Sequence, residues 1–225
     1  MVLRARSGVS PVTVHAPHAL DVIDRVALRL GDQYRDSIDG DTVREIVLDS
    51  FRRYRHLDHP SSHARSLAAQ LAADRLDAVR WVTQRQLHSA LPSFLFICSG
   101  NAGRSQLAAA LMRAVAPLGT RVVSAGESPA ARVLPGVTEA LDELGIAAFG
   151  EYPKPIAPEF VAAADHIVVL NCDDELDALA GHEFRRWNVA LDRTSGKQGM
   201  RTTRDHIALE VQALALEHGI DARPY

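Results

Sequence analysis

The stretch from Cys98 to Ser105, CSGNAGRS, combines a cysteine, two glycines, an arginine and a serine; we call it the cysteine loop. A thiolate is a nucleophile, and a guanidinium holds a tetrahedral oxyanion through two parallel hydrogen bonds. Glycines allow tight turns in which backbone N–H groups point inward. The stretch therefore predicts an oxyanion cradle made by Ser99, Gly100, Asn101, Ala102, Gly103 and Arg104.

The residues on either side place the cysteine loop between a strand and a helix. Phe94 to Ile97 is a short apolar run typical of a strand buried on both faces, and a helical pattern follows Ser105. Ligands of open parallel sheets bind at the carboxyl ends of strands, where the next helix adds N–H donors and a positive dipole end. These surroundings stabilise a thiolate. We therefore expect Cys98 to attack an oxyanion held by Arg104, with the Ser105 hydroxyl donating to the sulfur.

The rest of the C-terminal half alternates strands with helices. Strands are predicted at 121–124, 166–170 and 186–190, and helices at 135–144 and 202–217. This alternation indicates an α/β fold with an open, parallel, four-stranded sheet and helices on both faces.

The N-terminal half has a different pattern. Residues 1–18 are predicted to form an extended leader, and residues 19–90 a bundle of three amphipathic helices, the first ending at Gly31. The α/β domain then spans residues 91–225. Apolar stripes on such helices favour self-association, so the bundle is a candidate homodimer interface.

Composition restricts the possible functions. With 25 basic and 28 acidic side chains the net charge is -3, which argues against a nucleic-acid partner. No apolar run reaches the roughly 18 residues of a membrane span, and the N-terminus has no signal-peptide pattern, so we expect a cytoplasmic protein without a membrane partner. Two cysteines exclude a disulfide framework, and the ten histidines form no metal pattern, so no metal site is predicted.

The segment Phe94–Gln106, FLFICSGNAGRSQ, resembles the signature loop of the low-molecular-weight protein tyrosine phosphatase superfamily, which includes arsenate reductases. Gln106 after Arg-Ser is typical of the reductases, because the phosphatases usually have proline there. Ser124-Ala125-Gly126 is typical of both branches. The segment EYPKP at 151–155 and the N-terminal three-helix bundle resemble actinobacterial-type arsenate reductases.

The resemblance implies a phosphatase-like fold and reduction of arsenate to arsenite. Cys98 would form an adduct with arsenate, Asn101 would shape the loop, and a second thiol would reduce the arsenic. The partners would be an arsenate- or phosphate-like oxyanion and an external thiol reductant (mycothiol, glutathione or a thioredoxin system). No bound cofactor is implied.

The chain departs from the resemblance in its second thiol. Thioredoxin-coupled members carry two further cysteines beyond the third strand. Cys172 fits the first, but Leu176 stands near the second place. Three alternatives stay open: an external thiol attacks the adduct, Cys98 and Cys172 form one disulfide, or Cys172 is a small apolar residue at a strand end.

A second departure concerns the general acid. Relatives have an Asp-Pro pair after a tryptophan, whereas here Asp192 follows Trp187 without the proline and one residue later than usual. Asp192 is still the candidate acid, because it lies in the right segment. Two other functions stay open: a phosphatase acting through a cysteinyl-phosphate, and an oxyanion-binding module without turnover.

Overall fold

The computed structural model describes residues 21–54, 62–87, 91–147, 151–172, 176–192 and 194–221. The predicted leader at 1–18 lies outside them. The helices are α1 (Val22–Tyr34), α2 (Gly40–Arg53), α3 (Ser62–Thr83), α4 (Arg104–Val115), α5 (Pro135–Asp142), α6 (Pro158–Ala162) and α7 (Gly196–Glu217). The strands are β1 (Ser93–Cys98), β2 (Arg121–Gly126), β3 (His166–Leu170) and β4 (Arg185–Trp187).

The four strands form one parallel sheet in the order β2-β1-β3-β4. The predicted α/β fold class, with its four parallel strands, is confirmed. β1 is central and every one of its residues is buried, as its apolar run indicates. Its last residue, Cys98, is in register with Gly126 of β2 and Leu170 of β3, so three chain segments meet at this edge.

Alternate residues of β1 contribute to two different cores. Phe94 and Phe96 pack with α4, α5 and α7 on one face of the sheet. Leu95 and Ile97 pack with α3 and α6 on the other. Because side chains alternate across a strand, both faces of the sheet are covered by helices.

The N-terminal helices meet the second face of the sheet chiefly through α3. α3 takes part in two cores: Leu71 packs towards the sheet, and Leu76 packs with α1 and α2. Arg75, which is buried between them, forms ion pairs with Asp49 of α2 and Glu159 of α6. α3 therefore joins the N-terminal helices to the sheet. The division of the chain at residue 90 stays a prediction.

Several predicted element boundaries were wrong. α1 continues through Gly31 to Tyr34, because burial of Tyr34 outweighs the roughly 1 kcal/mol cost of a glycine in a helix. β4 ends at Trp187 rather than residue 190, since the N–H of Val189 donates to the side chain of Asn171 at 2.6 Å. α7 begins at Gly196, six residues before the predicted start, and α6 was not predicted.

Candidate active site

Cys98 is buried at the carboxyl end of β1, and its sulfur is hydrogen-bonded within the cysteine loop. Its Sγ lies 3.0 Å from Oγ of Ser105, in the first turn of α4. Asn101 donates to the same oxygen through Nδ2 at 2.9 Å. Either the hydroxyl or the thiol can be the donor in this contact, but a thiolate has no proton, so towards Cys98 in its ionised form the Ser105 hydroxyl is the donor. The contact predicted between Ser105 and Cys98 is therefore present, and Asn101 orients it.

Backbone carbonyl groups of the cysteine loop accept hydrogen bonds from a neighbouring segment. Three of these carbonyl groups accept N–H groups from the segment after β2: Ser99 from Ser128 at 2.8 Å, Gly100 from Ala130 at 2.9 Å, and Ala102 from Leu134 at 2.9 Å. Among the described residues, the N–H groups of residues 99–105 have no protein acceptor. These N–H groups are available to an anion, as the cradle requires.

Arg104 adds a charged donor to this cradle. It is the first residue of α4, and its Nε is buried without a hydrogen-bond partner among the described residues. Buried polar atoms usually have partners, so this Nε, like the N–H groups of the loop, is a donor that remains available to a ligand.

Asn101 holds the shape of the loop. It is fully buried and has a φ of 45°, in the left-handed region that non-glycine residues rarely adopt. Its Oδ1 accepts from the N–H of Lys154 at 2.8 Å, and Gln106 donates to its backbone oxygen at 2.9 Å. These bonds offset the strain of the backbone and aim Nδ2 at Ser105.

One glycine outside the loop is required by close packing. A Cβ on Gly126, at the end of β2, would lie 2.7 Å from the backbone nitrogen of Asn101. A Cβ on Gly100 would have no neighbour nearer than 4.0 Å, and one on Gly103 would meet Leu191 at 3.2 Å. Close packing therefore restricts Gly126 more than either glycine of the loop.

The second cysteine lies against the cysteine loop. Cys172 follows β3 by two residues, and its Sγ lies 3.9 Å from Oγ of Ser99, the neighbour of Cys98. Both cysteines are free and buried, and burial raises the pKa of the Cys172 thiol. Leu176, near the place of a further cysteine in some relatives, is buried in the core beneath the second face of the sheet.

Asp192 lies near the loop, but its carboxylate is engaged elsewhere. Its neighbour Leu191 faces Gly103. Its own Oδ1 accepts from the N–H and the hydroxyl of Thr194, both at 2.8 Å, and from the N–H of Ser195 at 3.1 Å. Hydrogen bonds from Ser195 and Thr194 lower the pKa of Asp192, which keeps it ionised. The general-acid role stays a prediction, and these bonds oppose it.

Neither a cluster of metal-ligand side chains nor a membrane-spanning helix is present among the described residues. No group of three or more histidine, cysteine, aspartate or glutamate side chains there is arranged to hold a metal ion. None of the described helices is long and apolar enough to cross a membrane.

The chain is similar to a known protein family. The family model described as low molecular weight phosphotyrosine protein phosphatase matches residues 93–191, which include the whole cysteine loop. The match covers 99 of the 225 residues, so it shows what this part of the chain is similar to. The matched segment ends at Leu191 and therefore contains Cys98, Arg104 and Cys172 but stops one residue before Asp192.

Solved structures of the superfamily extend the comparison. A thioredoxin-dependent arsenate reductase from Corynebacterium glutamicum is 27% identical, with a TM-score of 0.75. The similarity covers 88% of this chain and 96% of that one, more than the α/β part could supply alone, so it includes the N-terminal helices. The similarity therefore extends to the reductase branch of the superfamily.

Two less similar structures share the fold alone. A YwlE arginine phosphatase with a phosphorylated active-site serine is 22% identical, and it covers 57% of this chain and 97% of its own at a TM-score of 0.50. Wzb of Vibrio vulnificus, in complex with benzylphosphonate, is 16% identical over 56% of this chain and 99% of its own, also at 0.50.

Sequence reasoning missed two residues that shape the site. Asn171 has a φ of 47°, and its side chain binds Asn188 at 2.7 Å as well as Val189, which fixes the segment after β4. Lys154 supplies the N–H that fixes Asn101. An asparagine directly after a buried strand was the available signal for Asn171, because asparagine tolerates the left-handed region. The contact of Lys154 joins residues far apart in sequence, and no local pattern indicates it.

Proposed function

We propose that the protein is an arsenate reductase with Cys98 as its nucleophile. The observation that carries the proposal is the second thiol, Cys172, in contact with the residue next to Cys98. A phosphatase needs one thiol, whereas a reductase needs a second one to take the arsenic from As(V) to As(III). The free N–H groups and the unpartnered Arg104 Nε support binding of the oxyanion.

The reaction balances with two thiols. The Cys98 thiolate bonds to arsenic and one arsenate oxygen leaves as water, after taking up protons. A second thiolate then attacks the Cys98 sulfur, and the S–As bond breaks with its electron pair on arsenic, which becomes arsenite. The two sulfurs, each oxidised by one electron, form a disulfide. Cys172 is the first candidate for the second thiol, and an external thiol is the other.

The disulfide must then be reduced from outside. The Corynebacterium glutamicum structure is that of a thioredoxin-dependent enzyme, so a thioredoxin system is the first reductant to test. Mycothiol and glutathione are the other two. Turnover through free thiols requires a reducing compartment, so we also propose a cytoplasmic location. Pairing of two copies through α1–α3 stays a prediction.

A phosphatase is the second candidate. It is favoured by the family model, which is that of phosphotyrosine phosphatases, and the same cradle suits phosphate. The state of Asp192 opposes it, because a carboxylate held ionised by Thr194 and Ser195 does not protonate a phenolate leaving group.

The test is turnover by the wild type beside Cys98→Ser and Cys172→Ser. Arsenite formation is followed with thioredoxin, mycothiol or glutathione, and release of phosphate from phenyl phosphate is followed in parallel. We expect arsenite from the wild type only. Arsenite from Cys172→Ser with a small thiol would assign the second thiol to the external reductant.

Two results would contradict the proposal. Hydrolysis of phenyl phosphate without arsenite would make the protein a phosphatase. Binding of phosphate without either turnover would make it an oxyanion-binding module.

A further inference from the structure

A short segment lies between the cysteine loop and the N-terminal helices; we call residues 152–156 the bridging segment. On the loop side, the N–H of Lys154 donates to Oδ1 of Asn101 at 2.8 Å, and Gln106 donates to the carbonyl of Tyr152 at 3.1 Å. Gly126 donates to the carbonyl of Lys154 at 2.9 Å. The bridging segment thus contacts the residues that fix the conformation of Asn101.

The opposite side of the bridging segment is bonded to α2 and α3. The hydroxyl of Tyr54, the residue that follows α2, donates to the carbonyl of Pro153 at 2.9 Å. The hydroxyl of Tyr152 donates to Oδ2 of Asp74 in α3 at 2.7 Å. Both tyrosines are buried, so water does not readily replace either bond. A third bond runs from the Arg53 guanidinium of α2 to the carbonyl of Ile156 at 3.1 Å, at the far end of the same segment.

We propose that the Tyr152–Asp74 hydrogen bond positions Asn101 through the bridging segment, so that the N-terminal helices control the reactivity of Cys98. This rests on the proposed function in one respect, the role of Cys98 as nucleophile. The path runs from Asp74 through Tyr152 to Lys154 and Gln106, then to Asn101. Asn101 and Tyr152 act as positioning residues, since neither touches the reacting atoms.

The path has a defined effect on the sulfur. Asn101 Nδ2 donates to the Ser105 oxygen and so holds this hydroxyl beside Cys98, where it is the donor to a thiolate. A backbone at a φ of 45° relaxes when the bonds that hold it are lost. Asn101 then no longer holds Ser105, and the thiolate loses its hydroxyl donor. The N-terminal helices are therefore required for a reactive thiolate, in addition to their packing role.

The charges around the path keep the key donor protonated. Burial, and next the negative charge of Asp74, raise the pKa of the Tyr152 hydroxyl, which therefore stays a donor. Lys154 is buried with its Nζ 4.3 Å from the centre of the Tyr152 ring. This contact fixes the ring beside Asp74.

The test is the rate at which iodoacetamide alkylates Cys98, measured by peptide mass spectrometry on the full chain. It compares the wild type with Tyr152→Phe, which keeps the ring and removes the hydroxyl. At about pH 7 we expect alkylation to slow about five-fold, the effect of one net hydrogen bond. At about pH 9.5, where even an unassisted thiol is mostly ionised, we expect the two rates to agree.

Three variants complete the experiment. Asp74→Ala removes the acceptor and should reproduce Tyr152→Phe, and it serves as the test if Tyr152→Phe does not fold. Asp74→Asn keeps an oxygen acceptor and should restore the wild-type rate. Tyr34→Phe is the matched control, because its hydroxyl donates at 3.3 Å to the carbonyl of Ala73, inside the N-terminal helices, and does not contact the bridging segment.

Two outcomes would overturn the inference. Equal rates in Tyr152→Phe and Tyr34→Phe would show that the bond to Asp74 does not reach the sulfur. Faster alkylation of Tyr152→Phe at both pH values would show general loosening instead of lost positioning. The assay needs no arsenate, so a slowed Tyr152→Phe in a protein that forms no arsenite would refute the proposed function and keep this inference.

Discussion

Two loops at the carboxyl edge of the sheet use their polar groups in opposite ways. In the cysteine loop, after β1, the N–H groups of residues 99–105 and the Nε of Arg104 lack acceptors among the described residues. In the segment after β4, the carboxylate of Asp192 accepts three hydrogen bonds from Thr194 and Ser195. The cysteine loop keeps hydrogen-bond donors that are available to a ligand, whereas the carboxylate after β4 accepts hydrogen bonds from its own turn.

The difference shows how a site is distinguished from a structural feature. Both loops carry a residue type that can do chemistry. They are also neighbours, because a Cβ placed on Gly103 of the cysteine loop would contact Leu191 of the segment after β4. What separates them is the number of unused hydrogen-bonding groups, because buried polar groups normally have partners. The following predictions test whether that criterion identifies the chemistry correctly.

The largest effect should come from Arg104→Met. The Arg104 guanidinium, whose Nε has no partner among the described residues, is the charged donor proposed for the cradle, and charge-assisted hydrogen bonds are worth about 1.5–3 kcal/mol each. Affinity for inorganic phosphate, measured by titration calorimetry, should fall on the order of 100-fold. Arg104→Lys should recover only part of it, because lysine lacks the planar fork.

A matched arginine variant keeps that experiment specific. Arg201→Met breaks the ion pair of Arg201 with Glu143 on the surface, away from the cysteine loop. It should leave phosphate affinity unchanged. If the affinity of Arg104→Met for phosphate stayed within about three-fold of the wild-type affinity, the cradle would not be the anion site.

A smaller effect, on stability as well as binding, should come from Gly126→Ala. Its new methyl group would lie 2.7 Å from the backbone nitrogen of Asn101, and backbone cannot move as cheaply as a side chain. Overpacking of this kind costs about 1–3 kcal/mol, which thermal or urea unfolding would detect, and phosphate affinity should fall with it. Gly100→Ala is the partner variant, because its methyl group has space. Equal losses in the two would mean that the cysteine loop does not depend on close packing with β2.

The smallest effect on turnover should come from Asp192→Asn. Because its carboxylate is held ionised, turnover of arsenate and of phenyl phosphate should fall less than about ten-fold, whereas loss of a general acid costs about 10²–10⁴-fold. A fall of that larger size would instead make Asp192 the acid and remove the contrast between the two loops.

The same variant has a signature in stability. Hydrogen bonds from Ser195 and Thr194 lower the pKa of Asp192 in the folded protein, so its stabilisation is present above the unfolded value of about 3.9 and is lost as the pH falls through the folded one. Asp192→Asn should therefore unfold at a lower temperature at neutral pH. The difference from the wild type should shrink below about pH 4.

Local patterns predicted what local chemistry controls. The apolar run of β1 and the residue types of the cysteine loop predicted a buried strand that ends in an anion cradle, and the parallel sheet was confirmed. Boundaries set by distant contacts were predicted less well. The end of β4 depends on the side chain of Asn171, and the end of α1 on the burial of Tyr34. Neither contact leaves a periodic signal in the sequence.

The sequence by itself determined that Cys98, Arg104 and Ser105 share one loop at the end of a strand, because their spacing is short and local sterics dictate the turn. Only the tertiary structure decided that Cys172 lies beside that loop and that Asp74 contacts the bridging segment. Both contacts join residues far apart in the chain, and the packing of whole elements brings such residues together.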